Sequence, residues 1–174
     1  MMNIVLLEPE MPANTGNIGR TCVATGSRLH LIKPLGFEIS DKMLKRAGLD
    51  YWPHLDVTVY ENFGDFLEKN PEAKGKLFMA TTKAPNLYTE AKFPEDAYIM
   101  FGRESAGIPE HILYDYQETA IRIPMLPDIR SLNLANSVAI VLYEALRQQD
   151  FKQMQLKGEL RDYAWRDLVV SNDL

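Results

Sequence analysis

Asn3-Ile-Val-Leu-Leu-Glu-Pro-Glu-Met-Pro-Ala-Asn-Thr-Gly-Asn-Ile-Gly-Arg20 is where the fold of this 174-residue chain is first legible. Asn3–Leu7 is an almost unbroken apolar run, the pattern of a strand covered on both faces. Pro12-Ala-Asn14 then leads into a predicted helix over Thr15–Thr25, which Asn14 or Thr15 is placed to cap. The same alternation repeats outward from this unit. Leu29–Ile32, Val57–Tyr60, Leu77–Ala80, Tyr98–Phe101 and Ala120–Ile123 read as further strands. Between them lie predicted helices at Lys42–Ala47, capped by Ser40 or Asp41, at Phe63–Lys69, capped by Asn62, from Pro109 to Tyr114, and at Leu134–Gln149. Strand and helix in alternation predict an α/β domain with a mainly parallel sheet and flanking helices.

Composition narrows the class. Apolar residues make up 46% and charged residues 25%, which argues against a disordered chain. The longest apolar run, Val138–Tyr143, is far too short to span a bilayer. Met1–Glu10 lacks the basic flank of a secretory signal, and a cytoplasmic location is expected. The single cysteine, Cys22, excludes an intrachain disulfide and a multi-cysteine zinc site. The net charge of −5 does not suggest a nucleic-acid partner. The acidity is uneven, however: residues 1–50 carry six Lys/Arg against five Asp/Glu, and they include the basic cluster Lys42, Lys45 and Arg46. A solvated helix face is the plain reading of that cluster.

The helix from Leu134 is apolar almost all round. Leu134, Val138, Val141, Leu142 and Ala145 form one stripe, and Ala135, Ala139, Ile140 and Leu146 fill most of the rest. Such a helix is buried on more than one side, within the chain or against a second copy. Residues 151–174 are expected to form a final helix or a tail, with Trp165 favouring contact with the domain.

Familiar catalytic patterns are missing. His30, His54 and His111 have no metal-ligand spacing, and His30 reads as a core or edge residue. There is no Gly-x-Ser-x-Gly elbow, no Walker loop and no Gly-x-Gly-x-x-Gly fingerprint, which disfavours a nicotinamide oxidoreductase. Three polar loops follow predicted strands instead: Pro12–Arg20, Phe101-Gly-Arg-Glu-Ser-Ala-Gly-Ile-Pro109, and Ile121–Asn133 with its two prolines. The ends of parallel strands are where open α/β sheets bind ligands. Glycines in the second loop allow close backbone approach to one.

These loops carry a resemblance. Asn14-x5-Arg20, Phe101-Gly-x-Glu104-x2-Gly107, and Ile123-Pro124 with Ser131-Leu-Asn133 resemble, in order and spacing, the three motifs of the ribose 2′-O-methyltransferase branch of the SPOUT RNA methyltransferases. The opening Asn3–Glu10 and Arg46–Tyr51 are similar to the small single-domain tRNA enzymes of that branch. The resemblance covers residues 1–150 as a SPOUT methyltransferase domain and leaves 151–174 unassigned.

The resemblance implies a knotted α/β fold with a deep C-terminal trefoil, a homodimer paired through the first and last helices, and S-adenosylmethionine as cofactor. The implied reaction is methylation of the ribose 2′-hydroxyl of the wobble cytidine or uridine of tRNA, in leucine isoacceptors. Another RNA such as ribosomal RNA, or a non-catalytic RNA-binding module, is the alternative. By the same match Arg20 activates the hydroxyl, with Asn14, Glu104 and Asn133 as the other catalytic residues. Glu104 would hold Arg20 or the cofactor's amino end. Ala80, Gly102, Ile123 and Ser131 would contact the cofactor, and Lys42, Lys45 and Arg46 would meet RNA. No metal is required. A guanidinium rarely gives up its proton, so Arg20 is read as an electrostatic activator and not a free base.

Overall fold

Along the first strand, β1 (Asn3–Leu7), Ile4 and Leu6 join one apolar cluster while Val5 and Leu7 join another. The side-chain period of two sends neighbours to opposite faces, and both faces are covered. The computed structural model describes residues 1–38 and 52–165. The other strands are β2 (Arg28–Ile32), β3 (Val57–Tyr60), β4 (Leu77–Ala80), β5 (Asn86–Leu87), β6 (Tyr98–Phe101) and β7 (Ala120–Arg122). They form one sheet in the order β3-β2-β1-β6-β4-β7-β5, and every pairing is parallel. The α/β expectation is met, with β5 as a strand too short to read from sequence.

Among the described residues, four helices flank the sheet: α1 (Pro12–Thr25), α2 (Phe63–Lys69), α3 (Glu110–Asp115) and α4 (Leu134–Arg147). α1 starts earlier than expected. Pro12 takes the first turn, where its missing N–H costs nothing, and Met11 occupies the cap position without a side-chain bond. Asn14 and Thr15 therefore lie inside the helix and are not its caps. Gly26 ends α1 in the left-handed region at φ 64° and returns its N–H to the last turn. Asn62 does cap α2, accepting from the Asp65 N–H at 2.9 Å. Asn133 caps α4, accepting from the N–H groups of Ala135 and Asn136.

α1 and α4 pack against each other over the face of the sheet that carries Ile4, Leu6, Leu29 and Phe101. Val138, Val141, Leu142 and Ala145 of α4 are buried there, but Ile140 and Tyr143 stay 37% and 44% exposed. The described chain thus leaves part of the apolar surface of α4 open.

Past α4 the chain turns through left-handed residues at Asp150, Phe151 and Gln153. Gln149 donates to the Phe93 carbonyl, and Lys152 pairs with Glu95. No helix follows in the described tail, and Trp165 does not dock on the domain. Its indole N–H donates to the Gly158 carbonyl at 3.2 Å, and the ring is exposed, so the tail folds on itself. Lys42, Lys45 and Arg46, the predicted helix around them, and Arg46–Tyr51 lie outside the described residues. Among the described residues, no helix is long and apolar enough to cross a membrane.

Candidate active site at the strand ends

The parallel sheet brings the C-terminal ends of β4, β6 and β7 side by side, and the loops leaving them enclose a cleft of about 630 Å³. The four residues expected to meet a cofactor, Ala80, Gly102, Ile123 and Ser131, all line it. So do Asn14, Glu104 and Asn133.

Those last three are joined by hydrogen bonds. The Asn133 amide donates to Asn14 Oδ1 at 3.0 Å, and the Asn14 amide donates to Glu104 Oε1 at 3.0 Å. Asn133 Oδ1 meanwhile accepts from the first turn of α4. Each asparagine amide is thereby oriented: its nitrogen donates and its oxygen accepts, with no freedom to flip. Asn14 is buried, so its polar atoms need these partners.

Glu104 does not hold Arg20, as the sequence reading allowed. Its carboxylate accepts from the backbone N–H of Glu10 at 2.8 Å and of Met11 at 3.2 Å, besides the Asn14 amide. The exchange is reciprocal. Glu10 accepts from the Ser105 N–H at 2.8 Å and from the Ser105 hydroxyl at 2.7 Å. Those two bonds hold the Glu10 carboxyl below its ordinary pKa, because they favour the charged form. The β1–α1 loop and the β6–α3 loop are thus clamped to one another. Glu10 and Ser105 were missed from the sequence. They lie 95 positions apart, and no spacing rule pairs them. The one signal was Glu10 itself, a carboxylate just past a buried strand.

One expectation is corrected here. Gly102 was expected to admit a ligand to the backbone. A Cβ at this position would instead lie 2.1 Å from the Gly107 carbonyl carbon and 2.3 Å from the Ile108 nitrogen. The glycine lets the loop close upon itself, with Gly107 at φ 69° completing the turn. Any larger residue would distort the loop before it met a ligand. Arg20 is not among the residues that line the cleft. It is exposed on α1, six residues beyond Asn14. At 100° per residue that puts it about two-thirds of a turn round the helix and about 9 Å along it.

The lining suits a mostly buried organic ligand. The volume is in the ordinary range for such sites, small or apolar side chains at Ala80, Gly102 and Ile123 leave backbone groups within reach, and Ser131 adds a hydroxyl. The residues present therefore fit an S-adenosyl nucleoside. Among the described residues, no cluster of side chains could hold a metal ion.

The chain is similar to characterised proteins over most of its length. It is 50% identical over 150 residues to the tRNA (cytidine(34)-2'-O)-methyltransferase of Escherichia coli strain K12, covering 85% of this chain and 94% of that one. It is 47% identical over 152 residues to the protein of the same name in Saccharophagus degradans, covering 87% and 97%. A solved structure from work on the 2-OH methylation of C/U34 on tRNA superposes with a TM-score of 0.80 at 46% identity, over 86% of this chain and 97% of that one. The SpoU rRNA Methylase family profile matches residues 1–143, and with this coverage the chain belongs to that family.

Proposed function

We propose that this protein transfers a methyl group to the ribose 2′-hydroxyl of the wobble nucleotide, cytidine or uridine 34, of tRNA. The observation that carries the reading is the Asn133–Asn14–Glu104 chain, which ties together three strand-end loops around one cleft. When bound, S-adenosylmethionine supplies an electrophilic methyl group with its own leaving group. The residues placed to hold it are Ala80, Gly102, Ile123 and Ser131.

The rest falls to the chain. A ribose hydroxyl is a poor acid and needs orienting and electrostatic help to become a nucleophile. Asn14 and Asn133 present fixed polar groups at the cleft wall, and fixed groups stabilise developing charge without reorganising. Glu104 keeps both in place. Arg20 activates the hydroxyl as a cation. Because it is not among the residues that line the cleft of its own chain, we assign it to the cleft of a second copy. The open Ile140 and Tyr143 on α4 support a homodimer paired through α1 and α4.

The knot belongs to the same reading. β4 and β5 both flank β7 at Ile121, so residues 81–85 must cross over β7 between them. In the proposed knot, the chain beyond Arg122 passes beneath that crossing.

The test is methylation of total tRNA from a strain lacking the modification, with leucine isoacceptors assayed first. Methyl groups on the ribose of nucleotide 34 are expected. Transfer to ribosomal RNA alone, or no transfer, overturns the proposal.

A further inference from the structure

Three cations line the cleft, Lys83, Arg103 and Arg130, and they differ in how far they are already engaged. Lys83 Nζ is held by Glu110 at 2.7 Å. Arg103 makes one contact, from Nη1 to Glu8 Oε2 at 3.2 Å, longer than the 2.7–2.9 Å of a close charge-assisted bond. Its Nε is shut off from solvent and has no acceptor. Arg130 is exposed and has no hydrogen bond or ion pair with any described residue. Arg103 is thus left with its second terminal nitrogen unpaired, its Nε being out of a ligand's reach, and Arg130 with its whole guanidinium.

Their positions are specific. Arg103 immediately precedes Glu104 on the β6–α3 loop, and its backbone is pinned by a bridge to Gly107. Arg130 lies three residues before Asn133 on the β7–α4 loop. Glu104 and Asn133 are the two ends of the chain that runs through Asn14. Each end of that network therefore has an arginine beside it. Glu8, the partner of Arg103, has its own backbone in the left-handed region at φ 51°. This turn brings its carboxylate to one nitrogen of the guanidinium and leaves the other edge of the fork unpaired.

We infer that Arg103 and Arg130 form a two-point clamp for phosphodiesters of an RNA strand laid across the Glu104–Asn14–Asn133 network. This rests on the reading of the chain as an RNA methyltransferase. The planar fork of arginine matches a phosphate oxygen pair, and a chain of net charge −5 must grip a polyanion through local cations. Gripping the strand on both sides fixes the ribose between. Lys83, held close by Glu110, takes no part.

Arg103→Gln, Arg130→Gln and the double variant are compared with wild type for binding of a labelled anticodon stem-loop RNA across a salt series. S-adenosylhomocysteine binding is measured on the same proteins by calorimetry. Lys69→Ala, which removes one charge from α2, is the control. RNA binding is expected to weaken about tenfold or more for each arginine. The slope of log affinity against log salt should become shallower by about 0.7 for each single variant and about 1.4 for the double. S-adenosylhomocysteine affinity should stay within about twofold of wild type. An unchanged slope in Arg130→Gln, which loses no internal contact and therefore folds, overturns the clamp. So does a loss of S-adenosylhomocysteine affinity with RNA binding intact, which would assign the guanidinium groups to the cofactor. Wild-type protein that methylates tRNA while the variants behave like it overturns the clamp alone. Wild-type protein that neither binds nor methylates RNA overturns the functional reading with it.

Discussion

On one face of the sheet, Asn3, His30 and Tyr60 are sealed in the core; at the C-terminal strand ends, where α1 and α4 come in from the other face, Asn133, Asn14, Glu104 and Glu10 join loops around an open cleft. The first is a chain of neutral polar groups and the second also contains carboxylates, and in both the groups are linked by hydrogen bonds. In the core the Tyr60 hydroxyl donates to His30 Nδ1 at 2.8 Å, and His30 Nε2–H donates to Asn3 Oδ1 at 3.1 Å. Tyr60, Phe66 and Tyr98 pack around the ring. None of the three lines the cleft, and they stand within or at the edges of β1, β2 and β3. Those of the cleft stand on loops and on the first turns of helices. The core network anchors strands to each other. The cleft network anchors loops to each other and leaves a surface on which a substrate can be positioned. Hydrogen bonds of equal length thus serve stability in one place and geometry in the other, and solvent access decides which.

That contrast can be broken by experiment. Glu104→Ala should cost most. Removing the carboxylate frees both the β1–α1 loop and the Asn14 amide, and turnover is expected to fall on the order of a hundredfold to a thousandfold. Melting should change much less, because water reaches the freed backbone donors. A single-turnover methylation assay paired with a thermal melt checks both, and a large melting loss with normal turnover would make the cleft network a stability device like the other.

As the pH falls from 7, acid should reach the core network first, before it reaches the lowered carboxyl of Glu10 in the cleft network. Burial pushes the His30 pKa down from 6.5 to about 4, so the native state keeps the imidazole neutral while the unfolded chain protonates it. Stability from this site is complete above pH 6.5, falls as the pH drops toward 4, and then levels. The full loss is about 3 kcal/mol. Urea unfolding between pH 7 and pH 4 should show this fall, and His30→Gln should flatten it. A curve unchanged by the substitution would place the acid sensitivity elsewhere.

Tyr60→Phe is a smaller cut in the same network. It leaves His30 Nδ1 as a buried acceptor without a donor, which costs about 1–3 kcal/mol. Denaturation should register this while turnover per folded molecule is unaffected. A drop in turnover at constant stability would show that the two faces of the sheet are coupled. The smallest effect is expected at Trp165. Its ring is exposed and bonded only within the tail, so Trp165→Ala should alter stability by less than about 0.5 kcal/mol. A larger loss in a melting curve would mean that the tail is part of the domain.

How much of this the chain announced differs from element to element. The strands were legible because apolar runs such as Ile4–Leu7 and Tyr98–Phe101 admit few other readings when both faces are buried. The two residues of β5 were not, since pairing with β7 and no pattern of their own makes them a strand. The start of α1 was misplaced because Asn14 is a good cap by type. Its side chain is claimed by Glu104 and Asn133, both distant in sequence. Seven of the eight residues expected to act in catalysis or hold the cofactor line the cleft, and their motifs made them findable. Arg20 is the one of the eight absent from that lining, because sequence spacing gives its distance along the helix but not the direction of its side chain.

Local patterning and motif chemistry, carried by residues within a few positions of one another, determined the α/β class, the strand–helix order, the cap at Asn62, and the family. Tertiary structure alone decided the rest. It brought Glu10 to Ser105, left Arg103 and Arg130 with unused donors, and made Gly102 the point at which its own loop closes. It also set Trp165 outside the domain. Each of these depends on side chains that meet across the sheet order, and that order is fixed by how seven strands share two apolar faces, a global packing condition that no stretch of sequence contains.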